Sequence, residues 1–281
     1  MTTIQVQKYS GDLIPFSEKS LRQSLLNSGA TEDEASRVYN LITEDLYDGI
    51  PTKELYEKAF KALKEIRTSI AARYSLKRAL QQLGPEGFYF EKWVAKIFEV
   101  QGFDTITGQT LEGKSTVSHE IDVVVSNRKA NIVCECKFRN DIDSKISVTT
   151  PMYFLSRFTD LKDKEFTFFN RSFVPTKGFL ITNVFFTTDS IQFAEHYDIG
   201  LISWNYPEDL SIKRLTDQYG MYPVTCLTNL TEEEEKILLS KNCILVRELI
   251  KNPVLLDHFK FSEDRKTLIL QEARELVNEQ N

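Results

Sequence analysis

The chain is poor in the residues that bind soft metals or form cross-links. It has four cysteines and three histidines in 281 residues. Cys134 and Cys136 stand two apart, Cys226 and Cys243 stand alone, and no C-x-x-C pair occurs. Neither a zinc site nor a redox dithiol is expected. Cys134 and Cys136, held on one face of a strand, are too constrained for a comfortable disulfide, so a reducing, cytoplasmic setting is the default expectation. A run of about 18 apolar residues is missing, and no membrane association is expected. The opening MTTIQVQKYSGD lacks the basic and apolar regions of a secretory signal. There is no G-x-x-x-x-G-K-S/T phosphate loop, no low-complexity tract and no long-period repeat. A basic excess is missing too. The net charge of −6 argues against a sequence-independent coat on nucleic acid, although it leaves room for a local basic cleft.

What is present is an ordinary globular composition, 41% hydrophobic and 27% charged, in three segments. Residues 1–84 begin with a hairpin, Ile4 to Tyr9 and Leu13 to Phe16 around Ser10-Gly11-Asp12. Ser17 caps a helix that Gly29 stops, Thr31 caps an acid-led second helix, Thr52 caps a third, and a fourth runs from Ser69 to Gln82. Gly84-Pro85 breaks the chain. Residues 85–215 read as helix, three strands, helix, strand, helix, strand: an α/β core. The pieces are GFYFEKWVAKIFEVQGF, the strands around Asp122 and Glu135, a helix started at Pro151, a buried strand from Lys177, a helix from Thr188 and a last strand at Ile199–Trp204. Residues 216–281 are helical.

The chemistry lies in the stretch HEIDVVVSNRKANIVCECKF. Asp122 ends one apolar strand and Glu135-Cys136-Lys137 ends the next, with a polar turn at Ser126-Asn127-Arg128 between them. Alternation puts Glu135 and Lys137 on one face of the strand and Cys136 on the other. Two carboxylates and an ammonium then converge. Hard oxygen anions suit Mg²⁺, and a lysine beside them can position or deprotonate a water. An isolated E-x-K also describes the solvated face of an edge strand; the β-branched runs around this one mark its strands as central. His119 reads as an exposed loop residue, and Trp93 and Trp204 as core.

These residues resemble the PD-(D/E)xK nuclease fold, specifically Mrr-like restriction endonucleases, over nearly all of residues 86–205. The resemblance implies that Asp122, Glu135 and the main-chain carbonyl of Cys136 hold Mg²⁺ (or Mn²⁺). It implies that Lys137 orients the attacking water, and that Glu91 touches the metal or its waters. Ser118-His119-Glu120-Ile121 departs from the glycine-rich stretch that often precedes the aspartate, and Glu120 lies on the strand face of Asp122.

A second resemblance covers about residues 3–82. Val6-x-Lys8-x-x-Gly11-x-x-x-Pro15-Phe16, then Lys19 and Arg22, then Ile70-Ala-Ala-Arg73-Tyr74, are similar to the ATP-cone, a nucleotide-sensing domain. It implies that Val6 meets a base, that Lys8 and Lys19 meet the phosphates of ATP or dATP, and that Arg22 and Arg73 assist. Nucleotide would then be an effector of access to the nuclease site or of homo-oligomeric state. LTEEEEKILLSKNCILVRELIKN is similar to a helix-hairpin-helix unit with Asn242-Cys243 in place of the turn glycine, for which DNA backbone contact and plain packing stay open. The expectation is a metal-dependent deoxyribonuclease under nucleotide control, for which the family resemblance implies restriction or defence against foreign DNA; the alternative is a nucleotide-responsive DNA-binding or assembly protein whose nuclease fold does not cut.

Overall fold

A computed structural model of the chain describes residues 4–8, 11–84 and 87–278. β1 (Gln5–Gln7) and β2 (Leu13–Pro15) form the expected antiparallel hairpin, with Val6 opposite Ile14. Gly11 has φ +89°, a conformation that glycine adopts without a steric penalty. Tyr9 and Ser10, the first part of that turn, lie outside the described residues. β3 (Ile50–Pro51) pairs parallel with β1 on its other side; a two-residue strand carries no periodicity, and the sequence reading lacks it.

α1 (Glu18–Leu26) is capped by Ser17, whose Oγ accepts from Ser20 N at 3.1 Å. α2 (Glu32–Thr43) begins with a full capping box between Thr31 and Glu34. α3 (Thr52–Ile66) corrects one expectation. Pro51 is its N-cap, and Thr52 is already helical, its hydroxyl donating to Gln7 O at 3.3 Å. Proline's fixed φ starts the helix without a side-chain cap. The single fourth helix is in fact two, α4 (Thr68–Tyr74) and α5 (Leu76–Gln81). They part at Ser75, whose hydroxyl donates to Ala72 O at 2.8 Å, a local bond that competes with the helical ladder.

The central unit begins with α6 (Phe88–Val100); Pro85, the expected breaker before it, lies outside the described residues. β4 (Asp104–Glu112), β5 (Ser118–Ser126), β6 (Asn131–Lys137), β7 (Lys145–Ile146) and α7 (Thr149–Leu161) follow. Then come β8 (Phe166–Phe168), β9 (Arg171–Phe173), β10 (Lys177–Thr182), β11 (Phe185–Phe186), α8 (Thr188–His196) and β12 (Ile199–Ile202). The main sheet has the order β12-β10-β6-β5-β4. Its first three strands are parallel, and β6, β5 and β4 are antiparallel. β7–β11 and β8–β9 form small two-stranded pairs. Pro151 sits inside the first turn of α7, two residues after the helix starts.

Each face of the sheet is covered, as a mixed sheet with near-continuous apolar strands requires. On one face Phe154, Phe158 and Leu161 of α7 and Ala194 of α8 pack with Val124, Val133 and Leu180. On the other, Phe90, Trp93 and Ile97 of α6 pack with Val123, Val125 and Cys134. The same cluster takes in α9 (Ile212–Tyr219), α10 (Glu232–Ser240), α11 (Val246–Lys251) and α12 (Glu263–Asn278). It also contains Leu76, Ala79, Leu80 and Leu83, so one core runs from α5 through the central unit to the C-terminal helices. Residue 215, the expected second boundary, lies within α9. α1–α4 keep a core of their own around Leu25, Val38, Leu63 and Ile70. Trp93 is fully buried, its Nε1 donating to Met221 O at 2.8 Å; Trp204 is partly buried against the same core.

Candidate active site

The site stands where β5 and β6 stop pairing. Their ladder ends at Val123 opposite Cys134, whereas β6 continues beside β10 as far as Lys137 opposite Thr182. Glu135, Cys136 and Lys137 therefore have a strand on one side only. On the open side the Asp122 carboxylate replaces the missing strand: its Oδ2 accepts from Cys136 N at 2.6 Å. Asp122 does not end its strand; it lies within β5. The alternation of faces is broken there, because Ile121 belongs to the core on the α7 side and Val123 to the core on the α6 side. Opposite, between the pairs Thr107–Val123 and Gln109–Ile121, Gly108 has φ +63°. A kink of this kind re-aims a strand side chain.

Glu135 is 4% exposed and bears two cations. Lys137 Nζ lies 2.5 Å from its Oε1, as the shared strand face requires, and Arg157 Nη1 lies 2.5 Å from its Oε2. Arg157, on α7, also donates from Nη2 to Glu120 O, and its guanidinium lies 5.6 Å from the exposed ring of Tyr153. The sequence reading has no Arg157. It belongs to no motif and enters the site only because α7 packs over β6 and β10.

Glu91 joins from the first turn of α6, half-buried. Burial raises its carboxyl to about 7, with the carboxylates of Asp122, Glu120 and Glu135 adding to the rise. Asp122 is pushed up to about 6 by burial and then by Glu135, against the pull of the Cys136 amide. The structure thus brings Glu91, Asp122, Glu135 and Lys137 into one electrostatic cluster. Glu120 is exposed beside it. Cys134 and Cys136 are buried free thiols. His119 stays outside; its ring bonds Asp160 at 2.8 Å.

The donor set suits a hard cation, since carboxylate oxygens prefer Mg²⁺ or Mn²⁺, and burial followed by neighbouring carboxylates raises two of these carboxyls. Among the described residues, however, no group of three or more His, Cys, Asp or Glu side chains is arranged to hold a metal ion. Each oxygen of Glu135 already faces one cation, so a metal ion there competes with Lys137 and Arg157 for the same carboxylate.

The residues expected to meet nucleotide are more dispersed. Val6, in the central strand of the N-terminal sheet, is 4% exposed. Lys8 and Lys19 are exposed. Arg22 is tied to Glu18 Oε1 at 2.7 Å and Ser36 Oγ at 2.9 Å, beside the Tyr39 ring. Arg73 turns toward the C-terminal helix, donating to Leu276 O at 3.4 Å. Asn242 adopts φ +61° between α10 and α11 and so does the work of a turn glycine. Its Oδ1 accepts from Lys92 Nζ at 2.9 Å, and Leu238, Leu239 and Ile244 around it are core. No helix among the described residues is long and apolar enough to cross a membrane.

Comparisons with known proteins cover the central unit and the C-terminal helices. Residues 83–206 match the family Restriction endonuclease (Mrr_cat), and residues 222–277 match the family AF1548-like, C-terminal. A protein of Archaeoglobus fulgidus named only "Uncharacterized protein" is 27% identical over 185 residues, 66% of this chain and 99% of the relative. A solved structure titled "Crystal Structure of Protein of Unknown Function AF1548" superposes with a TM-score of 0.54 at 25% identity, covering 68% of this chain and 98% of that one. The central unit carrying Asp122, Glu135 and Lys137 is thus similar to restriction endonucleases, and the helical region after it to the AF1548-like C-terminal family.

Proposed function

We propose that the chain is a metal-dependent deoxyribonuclease that hydrolyses phosphodiester bonds, with a nucleotide-responsive N-terminal unit. The observation carrying this reading is the meeting of Asp122, Glu91, Glu135 and Lys137 at the open end of the β5–β6 ladder, in a domain similar to restriction endonucleases. Asp122, Glu135 and the Cys136 carbonyl are the groups to hold Mg²⁺ or Mn²⁺. When bound, such an ion supplies Lewis acidity at a phosphoryl oxygen and lowers the pKa of a water. Lys137, fixed by Glu135, orients the water and offsets charge growing on the phosphoryl oxygens. Glu91, a carboxyl poised near neutrality, accepts a proton from that water or from a water beside it.

The N-terminal unit is proposed to bind ATP or dATP through Lys8 and Lys19 and to regulate the nuclease or its assembly. Its link to the site is physical. Lys77 lies 3.3 Å from Asp143, and Gln81 Nε2 donates to Asn140 O, so α5 grips the loop that leaves Lys137.

The joint substitution Glu135→Ala and Lys137→Ala should abolish Mg²⁺-dependent nicking of supercoiled plasmid DNA; undiminished cleavage by that variant refutes the site. One observation favours a non-cleaving reading, the hold of Arg157 on Glu135. A pure binder retains DNA equally in EDTA and Mg²⁺ and produces no nicks with Mn²⁺.

A further inference from the structure

Away from the catalytic edge, one buried carboxylate has no counterpart. Glu235, on α10, is 6% exposed, and among the described residues its side chain makes no hydrogen bond and no ion pair. The N-terminus of α10 does not supply one, since its donors are met by the capping box of Thr231 and Glu234. Burial, with Glu232 and Glu234 nearby, raises Glu235 to about 8. Its oxygens are not sealed in protein but open onto a cavity, where a ligand's donors can take the place of water.

Glu235 lines a cavity of about 470 Å³ where α5, α6 and α10 meet the loop after β6. Gln82, Tyr89, Asn140, Glu232 and Leu239 form much of its wall. The volume lies in the range of small-molecule sites and far exceeds an ion. A divalent metal needs six or more oxygens around one point, and among the described residues no group of three or more His, Cys, Asp or Glu side chains is arranged to hold one. Lys236 also lines the cavity, but an anion would meet both Glu232 and Glu235 against that one cation. What remains is a molecule with strong N–H donors at one end and a carbon stem.

We propose that this cavity binds a small organic cation of the alkyl-guanidinium or alkyl-ammonium class, with Glu235 as its counter-ion and Tyr89 and Leu239 against its stem. A guanidinium or ammonium gives the carboxylate the charge-assisted bonds it lacks, and the Tyr89 ring offers the face on which such cations rest. The site is independent of the nuclease reading.

The test is calorimetric titration of the full chain with agmatine at about 0.15 M salt, where loose surface attraction is screened. Saturable one-to-one binding is expected, and n-butylurea, its uncharged counterpart, should not bind. Glu235→Gln should weaken agmatine binding by about tenfold or more. The same variant, without ligand, should melt no lower than the native chain, because it removes an unpaired buried carboxyl rather than a contact. Leu239→Phe, which fills the cavity and leaves Glu235 in place, should also lose binding. Agmatine binding that survives either substitution, or that n-butylurea matches, overturns the proposal, as does the absence of any agmatine binding.

Discussion

Arg157 reaches from α7 to Glu135 Oε2 at 2.5 Å and pairs with the carboxylate proposed as a metal ligand. The pair is well buried, with the two side chains 12% and 5% exposed. Lys137 holds the other oxygen. Glu135 is thus neutralised from within, and an incoming cation competes with the guanidinium for it. Arg157→Ala should lower stability in EDTA by about 2–3 kcal/mol, less than a fully orphaned buried charge costs because Lys137 remains. It should also raise the affinity for Mn²⁺ several-fold. Thermal melting with and without Mn²⁺ reads both effects. An unchanged EDTA melting point together with an unchanged Mn²⁺ shift would show that Arg157 does not compete for Glu135.

Glu91 and Asp122 give the metal-free protein a characteristic pH dependence. Their folded-state pKa values, about 7 and about 6, lie above the ordinary carboxylate range. Both groups hold protons more tightly folded than unfolded, so their stabilising contribution is complete below about pH 4 and is lost as pH rises through 6 and 7. Glu235, raised to about 8, acts with the same sign higher up. Asp160, held down to about 2 by Ser115 and His119, has the opposite sign and matters only in strong acid. Urea unfolding in EDTA should show stability falling from pH 5 to pH 8. Glu91→Gln should flatten the part of the fall above pH 6. A native chain equally stable at pH 5 and 8 contradicts the cluster.

Much of this site is written locally, which is why it can be read from sequence. Glu135 and Lys137 share a face by alternation, and Asp122 is set against them by one hairpin. The apolar runs that mark β5, β6, β10 and β12 also specify their burial. Glu91 is legible only by resemblance, because its distance from Asp122 depends on how α6 lies on the sheet. Arg157 is not legible at all; it comes from a helix twenty residues beyond Lys137 and depends on tertiary packing. β3 is too short for any period, and the break at Ser75 interrupts a continuous helical pattern. Glu235 looks like one of four glutamates at a helix start, and only the neighbouring α5 and α6 bury it.

Gly178 sets how closely α7 approaches the sheet. A Cβ there would lie 2.9 Å from Phe154 Cε1 and 3.1 Å from Phe158 Cγ, both core side chains of α7. Both rings are buried. Gly178→Ala should cost about 1–3 kcal/mol, the usual penalty of overpacking, measured as the shift in urea midpoint. Because α7 carries Arg157, the same variant should respond more strongly to Mn²⁺ than the native chain. A variant as stable as the native chain would mean that α7 is not held where these contacts place it.

Lys19 and Arg73 separate the two roles assigned to the N-terminal unit. Lys19 is exposed in the first turn of α1 with Lys8 at the end of the hairpin strand, where a polyphosphate finds cations without displacing any packed group. Arg73 is engaged with Leu276 O and lies 5.9 Å from the Tyr222 ring, so it joins α4 to the C-terminal helices. Lys8→Ala and Lys19→Ala should each weaken ATP or dATP binding by about tenfold, the loss of one charge-assisted contact, and leave melting unchanged. Arg73→Ala should lower the melting temperature and leave nucleotide affinity within about twofold, well under the 1.4 kcal/mol of a tenfold change. Calorimetric titration and melting on the three variants decide it. Should Arg73→Ala lose nucleotide as strongly as Lys19→Ala, the phosphates must reach toward α12, and the nucleotide would contact the C-terminal helices directly instead of acting through α5.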